Sequence, residues 1–290
     1  MDLLNSSGSD LSSNVSDQNN TKIIAYYGIL KQPLFMIILY AIAYTTIFFC
    51  AVIGNIMVVA VVIRNKYMHS VTNYFIVNLA VADILVALFC VPLTLLSNLY
   101  TSWNFGWFMC KATPYLQGVS VCASVNTLAA IALDRYLAIC HTAEAKINRK
   151  ICKVIIVCIW IVAFIIMVPW AVYFTLEEHH TGLQTILYCY ENWPSERAMK
   201  IYFLAAIFLC CYSVPLSLIV FCYSLIGIKV WRRHAPGVKN TSMGIVHKSK
   251  VKAVQMLSVV VILFAFSWMP MYAIRLHAFF NTGSKSSKKK

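Results

Sequence analysis

Six long stretches with almost no charged residues constrain this chain more than any other feature. Five contain no Asp, Glu, Lys or Arg, and one contains only Asp83; the six stretches are 32–63, 71–102, 112–133, 154–176, 201–228 and 253–274. About 20 apolar residues let a helix cross the hydrocarbon core of a bilayer. Only 12% of the chain is charged, against about 25% in a soluble domain. The sequence therefore predicts an all-α membrane protein with six transmembrane helices.

These stretches divide the chain into three regions. An N-terminal tail is expected over 1–32, a helix bundle over 33–280 and a polar, Lys-rich tail over 281–290. The spans are expected at about 33–63, 71–99, 107–140, 151–175, 198–231 and 249–279.

The distribution of charge predicts the orientation of the spans. The net charge is +14, and the basic residues concentrate after spans one, three and five. Basic loops face the cytoplasm, so the charge indicates topology rather than a nucleic-acid partner. The loop after span four carries Glu177, Glu178 and Glu191 and is expected outside. The lysines of 281–290 conflict with this orientation, which is kept because earlier helices usually fix it.

The N-terminal tail is rich in Ser, Asn and Asp and lacks the basic and apolar regions of a signal peptide. Sequons at Asn5, Asn14 and Asn19 predict extracellular glycosylation. The alternative is a solvated tail without glycans. A further sequon at Asn240 falls in a basic loop that is expected in the cytoplasm.

The cysteines separate into two groups. Of eleven, only Cys110 and Cys189 lie at or beyond the outer ends of spans, which predicts a disulfide between them. The other nine are expected to be reduced and apolar. Asp134 lies 24 residues after Cys110, which corresponds to roughly 36 Å of helix. The Asp134-Arg135-Tyr136 sequence is therefore expected at the cytoplasmic end of span three.

Several polar residues fall inside the spans. Asn55 is expected to face other helices, and the Asp83 carboxylate is costly at mid-membrane depth unless it is paired, solvated or protonated. We expect Asp83 and Ser124 to contribute to a hydrated cation pocket, with sodium as the candidate ion. The alternative is a protonated or water-bridged carboxyl group that only ties helices together. No other metal site and no cofactor is indicated.

Further short motifs lie on the spans, and they follow one another along the chain in a characteristic order. They are Gly54-Asn55, Asn78 to Asp83, Cys110 with Cys189, Asp134-Arg135-Tyr136, Trp160, Pro215 with Tyr223, and Phe264 to Pro270. In this combination the chain resembles rhodopsin-like (class A) G-protein-coupled receptors over about 34–280. The segments 69–83, 114–121 and 231–237 are most similar to receptors for neuropeptide FF, RFamide and SIFamide peptides.

The resemblance implies a short amidated peptide ligand with a basic residue near its C-terminus. Gln117, Trp268 and Tyr272 are the expected contacts, and Glu178 and Glu191 suit the cationic residue. A solvated loop is the alternative explanation for these glutamates. Arg275 stands near the outer end of span six, where the relatives commonly carry an acid, and this leaves the exact peptide open.

The resemblance also implies a signalling mechanism at the plasma membrane. Peptide binding would move span six outward, release Arg135 from Asp134 and let a heterotrimeric G protein contact Arg135, Tyr136, Tyr223 and the basic loop. The expected switch and ion-pocket residues are Asn55, Asp83, Ser124, Phe264, Trp268 and Pro270. The alternative role for Trp268 is packing in the core.

Only six of the family's seven helices are found in the sequence. We therefore expect a chain truncated before the seventh helix that signals weakly, is retained in the endoplasmic reticulum or pairs with full-length receptor. A six-span channel or transporter subunit is the alternative, although the sequence shows no repeated Arg pattern, pore loop or internal repeat. No His accompanies Ser120 or Ser124 in the spans, so an enzyme is not expected.

Overall fold

The computed structural model describes residues 28–141, 147–180, 184–233, 255–256 and 258–277. Within 184–233, side chains are described as far as Val230. Six of the described helices are long and apolar enough to cross a membrane. They are α1 (Leu34–Arg64), α2 (Val71–Leu99), α3 (Gly106–Cys140), α4 (Arg149–Tyr173), α5 (Glu196–Val230, continuing to Arg233) and α6 (Ser258–His277). The predicted glycosylation sites Asn5, Asn14 and Asn19 and most of the loop between α5 and α6 lie outside the described residues.

Two short elements complete the described chain. A 3₁₀ turn, Lys66–Met68, joins α1 to α2. Strands β1 (Phe174–His180) and β2 (Thr185–Glu191) form an antiparallel hairpin between α4 and α5. The sequence analysis did not anticipate this hairpin.

α2 and α5 each contain a π-helical segment next to a proline. The segments are Val86–Cys90, which precedes Pro92, and Phe203–Ser213, which precedes Pro215. A proline ring collides with the carbonyl of the residue four positions earlier in an α-helix. In both helices that earlier residue lies in the π-helical segment, where the wider turn accommodates the ring.

The chain forms two compact units. The first consists of 1–59, 80–120 and 164–192, and the second consists of 60–79, 121–163 and 193–290. In the second unit α3 is central. Leu128 and Ala132 of α3 pack with Ile219 of α5 and Val261 of α6, and Ile131 packs with Phe75 of α2 on another side of the helix.

α1 contrasts with α3 because most of its side chains are exposed. Most of its exposed residues are apolar, which suits a lipid environment rather than water. The small residues of α3, in contrast, allow neighbouring helices to approach closely.

Candidate functional site

The outer end of the first unit is built around the hairpin. Cys110, near the start of α3, is joined by a disulfide to Cys189 of β2, with 5.7 Å between their Cα atoms. The pairing that the sequence predicted is thus present. The Trp103 amide donates to the Leu187 carbonyl at 2.8 Å, and the Leu187 amide donates to Ser102 Oγ at 3.1 Å. The hairpin is therefore fixed both to α3 and to the loop before it.

A cavity of about 290 Å³ lies at this end of the first unit, and Gln117 of α3 lines it. α3 also contributes Thr113 and Pro114, and the hairpin contributes Phe174 and Leu187. Among the described residues that line the cavity, Lys31 is the only charged one. Lys31 Nζ donates to the Ser97 carbonyl at 2.8 Å, which holds the ammonium group against the end of α2.

The register of the hairpin separates its glutamates onto two faces. Glu178 pairs with Leu187, and Glu191 pairs with Phe174, so both acids share a face with these cavity-lining residues and with Cys189. Glu177 falls on the opposite face because side chains alternate along a strand. Tyr188 shares the face of Glu177 and also lines the cavity, and none of the three glutamates is among the described lining residues.

Glu177 has a partner of its own. Its carboxylate accepts a hydrogen bond from the Tyr190 hydroxyl. Because this bond requires the phenol to keep its proton, it raises the pKa of Tyr190 above its ordinary value. His180 Nε2 lies 3.9 Å from Glu178 Oε2, and both side chains are exposed.

The second unit contains the Asp134-Arg135-Tyr136 sequence at the end of α3. Arg135 Nη2 lies 2.7 Å from Asp134 Oδ2, and the Thr72 hydroxyl donates to the same oxygen at 2.7 Å. Asp134 is 5% exposed. The buried carboxylate is therefore held both by a guanidinium and by a hydroxyl, as a buried charge requires.

Other residues at this end link the helices of the second unit. The Tyr136 hydroxyl lies 3.1 Å from His141 Nε2, and Tyr136 and Tyr223 both pack against the core cluster around Leu128. Lys229 Nζ of α5 donates to the Cys140 carbonyl at 2.5 Å, so a cation caps the last turn of α3.

A buried polar network joins α2, α3 and α4 in the second unit. The Asn78 amide donates to Thr127 Oγ1 at 2.8 Å, and Trp160 Nε1 donates to Asn78 Oδ1 at 2.7 Å. The Thr127 hydroxyl in turn donates to the Ala123 carbonyl at 2.7 Å. Each of these buried polar groups therefore has a partner within the protein.

The predicted switch residues of α6 belong to an aromatic cluster. The Trp268 ring lies 6.1 Å from Phe264 and 6.4 Å from Tyr272. Tyr272 stacks on Tyr212 of α5 at 4.4 Å between centroids and is 3% exposed. Its ring thus packs against α5, and a ligand would reach it only after α5 or α6 rearranges.

Arg275 and Pro270 are also on α6. The Arg275 guanidinium lies over the Phe203 ring at 5.5 Å, which is a cation–π contact with α5. Pro270 is exposed. Arg275 therefore makes a contact within the second unit, which is separate from any contact with a ligand.

The residues predicted for an ion pocket are not assembled within one unit. Asn55 Nδ2 donates to Ala51 O of its own helix at 2.9 Å. Asp83 lies in the first unit with an exposed side chain, and Ser124 lies half-buried in the second. Among the described residues no cluster of three or more His, Cys, Asp or Glu side chains is placed to hold a metal.

Sequence reasoning missed several residues with defined roles. Thr72 and Thr127 form hydrogen bonds with the motif residues Asp134 and Asn78, respectively. Lys31 lines the cavity, and Cys122 contacts Cys211. No short motif contains these residues, because each acts on a partner in a different helix or segment. A polar residue within an apolar span was the only available signal for the two threonines.

Comparison with known proteins decides the family. The model of the seven-transmembrane receptors of the rhodopsin family matches residues 54–290. The chain belongs to this family. It is 39% identical over 268 residues to neuropeptide FF receptor 2 from Rattus norvegicus, with 89% of the chain and 63% of that receptor covered.

Two human receptors show a similar level of identity. Neuropeptide FF receptor 1 from Homo sapiens is 38% identical over 248 residues, which cover 82% of the chain and 57% of that receptor. Neuropeptide Y receptor type 2 from Homo sapiens is 38% identical over 239 residues, which cover 81% of the chain and 61% of that receptor. The chain thus spans somewhat less than two thirds of the length of these receptors.

Family membership settles the broader predictions. The rhodopsin-like helical fold and the multi-pass membrane character are confirmed, and the relatives are receptors rather than enzymes. The channel and transporter alternatives find no support in these relatives.

Proposed function

We propose that this rhodopsin-family protein is a plasma-membrane receptor for an amidated, RFamide-like neuropeptide and that it activates heterotrimeric G proteins. The family and the receptors for neuropeptide FF and neuropeptide Y among its relatives support the class of ligand. The observation that carries the proposal is the cavity of the first unit, which Gln117 lines together with residues of the hairpin that bears Glu178 and Glu191.

The chemistry of this cavity suits the C-terminal end of such a peptide. The Gln117 side chain offers both N–H donors and a carbonyl acceptor, which complement a primary carboxamide. Lys31 can donate to a peptide carbonyl while it keeps its bond to Ser97. The cationic residue of the peptide is attracted by Glu178 and Glu191, since opposite charges steer association and fix orientation.

The second unit carries the groups proposed for signalling. In this structure Arg135 is engaged by Asp134, which Thr72 also contacts. A G protein that binds Arg135 competes with this ion pair. The peptide then acts by favouring the conformation in which the ion pair is open, because a ligand shifts a two-state equilibrium only through differential affinity.

The hairpin provides a matched test. Cells that express the protein are exposed to amidated peptides ending in Arg-Phe-amide, and G-protein dissociation is recorded by energy transfer. Glu178→Gln and Glu191→Gln each remove an acid from the hairpin face that carries Leu187 and Cys189, whereas Glu177→Gln removes one from the other face, where it accepts a hydrogen bond from Tyr190. We expect the first two variants to raise the half-maximal peptide concentration about tenfold, a change of about 1.4 kcal/mol, and Glu177→Gln to leave it close to wild type.

Two results would contradict the proposal. Equal effects of all three substitutions would show that the acids act only through net charge. An absence of any response to amidated peptides in cells with surface-expressed protein would exclude this ligand class.

A further inference from the structure

Two buried thiols meet in the second unit. Cys122 of α3 and Cys211 of α5 are each 1% exposed, and their sulfur atoms are 2.7 Å apart. A disulfide requires about 2.05 Å between the sulfurs, so the atoms need to approach by only ~0.7 Å. The other described free cysteines include Cys210, the neighbour of Cys211, which is exposed.

The surroundings of the pair distinguish the two sulfurs. The two sulfur atoms are in direct contact, and the Asn126 amide donates to Cys122 Sγ at 3.6 Å. This amide stabilises negative charge on the Cys122 sulfur, and the thiolate is the nucleophilic form of cysteine. Cys122 is therefore the sulfur that is prepared to react first.

We propose that Cys122 and Cys211 form an oxidation site, which a membrane-permeable hydroperoxide converts into a disulfide between α3 and α5. The Cys122 thiolate attacks the terminal peroxide oxygen, the O–O bond breaks, and the alcohol or water leaves with a proton. The resulting sulfenic acid is then attacked by the Cys211 sulfur, which forms the S–S bond and releases water. Two electrons pass from the thiols to the hydroperoxide, and both thiol protons leave in the products.

The position of Cys211 gives this bond a structural consequence. Cys211 lies in the π-helical segment Phe203–Ser213, and the next residue, Tyr212, donates to the Ala265 carbonyl of α6 at 3.0 Å. The Tyr212 ring also stacks on Tyr272 of α6. A disulfide to α3 thus fixes the part of α5 on which α6 packs. We expect the oxidised receptor to give a lower maximal G-protein response, and this expectation rests on the proposed function.

Mass spectrometry tests the chemical step without any assumption about ligand. Membranes from cells that express the protein are treated with cumene hydroperoxide, free thiols are alkylated in denaturant, and the protein is digested without reduction. We expect a Cys122–Cys211 linked peptide in the wild type and in Cys210→Ser, and its loss in Cys211→Ser. The Cys110–Cys189 linked peptide serves as an internal reference for folded protein in every sample.

The same samples can overturn the proposal. Complete alkylation of Cys122 and Cys211 after oxidation, with the reference disulfide intact, would show that the helices keep the thiols unbonded. Oxidation of either cysteine only to sulfinic or sulfonic acid would equally exclude the disulfide.

A response assay then tests the consequence. We expect the maximal peptide response of the wild type to fall in parallel with the fraction of cross-linked protein and to recover after treatment with a membrane-permeable phosphine. Cys210→Ser should behave as the wild type, and Cys211→Ala should be insensitive to oxidant. If the disulfide forms in a protein that shows no G-protein response to any peptide, the proposed function would be refuted but the oxidation site would not. A disulfide without any effect on a measurable response would refute the structural consequence.

Discussion

At the scale of single residues, Gly118 marks a close approach between α3 and α4 in the first unit. A Cβ atom at this position would lie 2.7 Å from Met167 Sδ and from the Trp170 ring. We expect Gly118→Ala to lower the free energy of unfolding by roughly 1–3 kcal/mol because the added methyl overpacks this contact. Thermal unfolding of the detergent-solubilised protein measures the change. Gly227→Ala is the control, since its added Cβ meets no atom within 4 Å apart from its chain neighbours and the backbone of its own helix; equal losses in both variants would refute the packing argument.

A second residue-scale prediction concerns the polar network of the second unit. Thr127→Val keeps the shape of the side chain but leaves the buried Asn78 amide without its acceptor. The expected cost is about 1–3 kcal/mol, the range for a buried unsatisfied donor. Thr46→Val is the matched control, because the exposed Thr46 hydroxyl bonds only to Ile42 of its own helix. A thermal shift no larger for Thr127→Val than for Thr46→Val would argue against the network.

The same scale shows how far sequence reasoning reaches for the site. Cys110 with Cys189 and the Asp134-Arg135 pair were predictable because depth in the membrane or adjacency in the chain identifies them. Thr72 and the Cys122–Cys211 pair were not, because their contacts depend on how two helices are rotated about their axes. Hydrophobic windows contain no information on that rotation when a helix is apolar on all sides.

At the scale of elements, the charge-free windows predicted the helices but missed the hairpin. The window over 154–176 runs without interruption across the end of α4 at Tyr173 and the start of β1 at Phe174. An apolar run does not distinguish the last turn of a helix from the start of a strand. The π-helical segments were likewise beyond prediction, although the prolines that follow them indicated irregular helices.

Lys111 gives a prediction at this scale. Its ammonium group donates to the carbonyls of Ala171 and Val172 at 3.1 and 2.8 Å, so it caps the last turn of α4. We expect Lys111→Met to weaken this turn by about 1 kcal/mol and to speed hydrogen exchange there roughly fivefold. Exchange of peptides that end near Tyr173, followed by mass spectrometry, measures the effect. Lys153→Met alters an exposed lysine at the other end of α4 and should leave that exchange unchanged.

At the scale of the whole molecule, the predicted orientation in the membrane rests on charge rather than on packing. The six apolar helices could insert in either direction, and the excess of Lys and Arg after spans one, three and five favours one of them. The proposed receptor function depends on this orientation, since the peptide and the G protein must act from opposite sides of the membrane.

The sequons provide a test of orientation within a single chain. Asn5, Asn14 and Asn19 lie on the side predicted to be extracellular, whereas Asn240 lies in a basic loop predicted to be cytoplasmic. Because glycans are added only on the luminal side, we expect the combined change of the first three to Gln to abolish the mass shift caused by an N-glycosidase. Asn240→Gln should leave that shift unchanged. A mass shift that survives the triple substitution and disappears with Asn240→Gln would reverse the topology, and it would place Arg135 on the same side as the peptide.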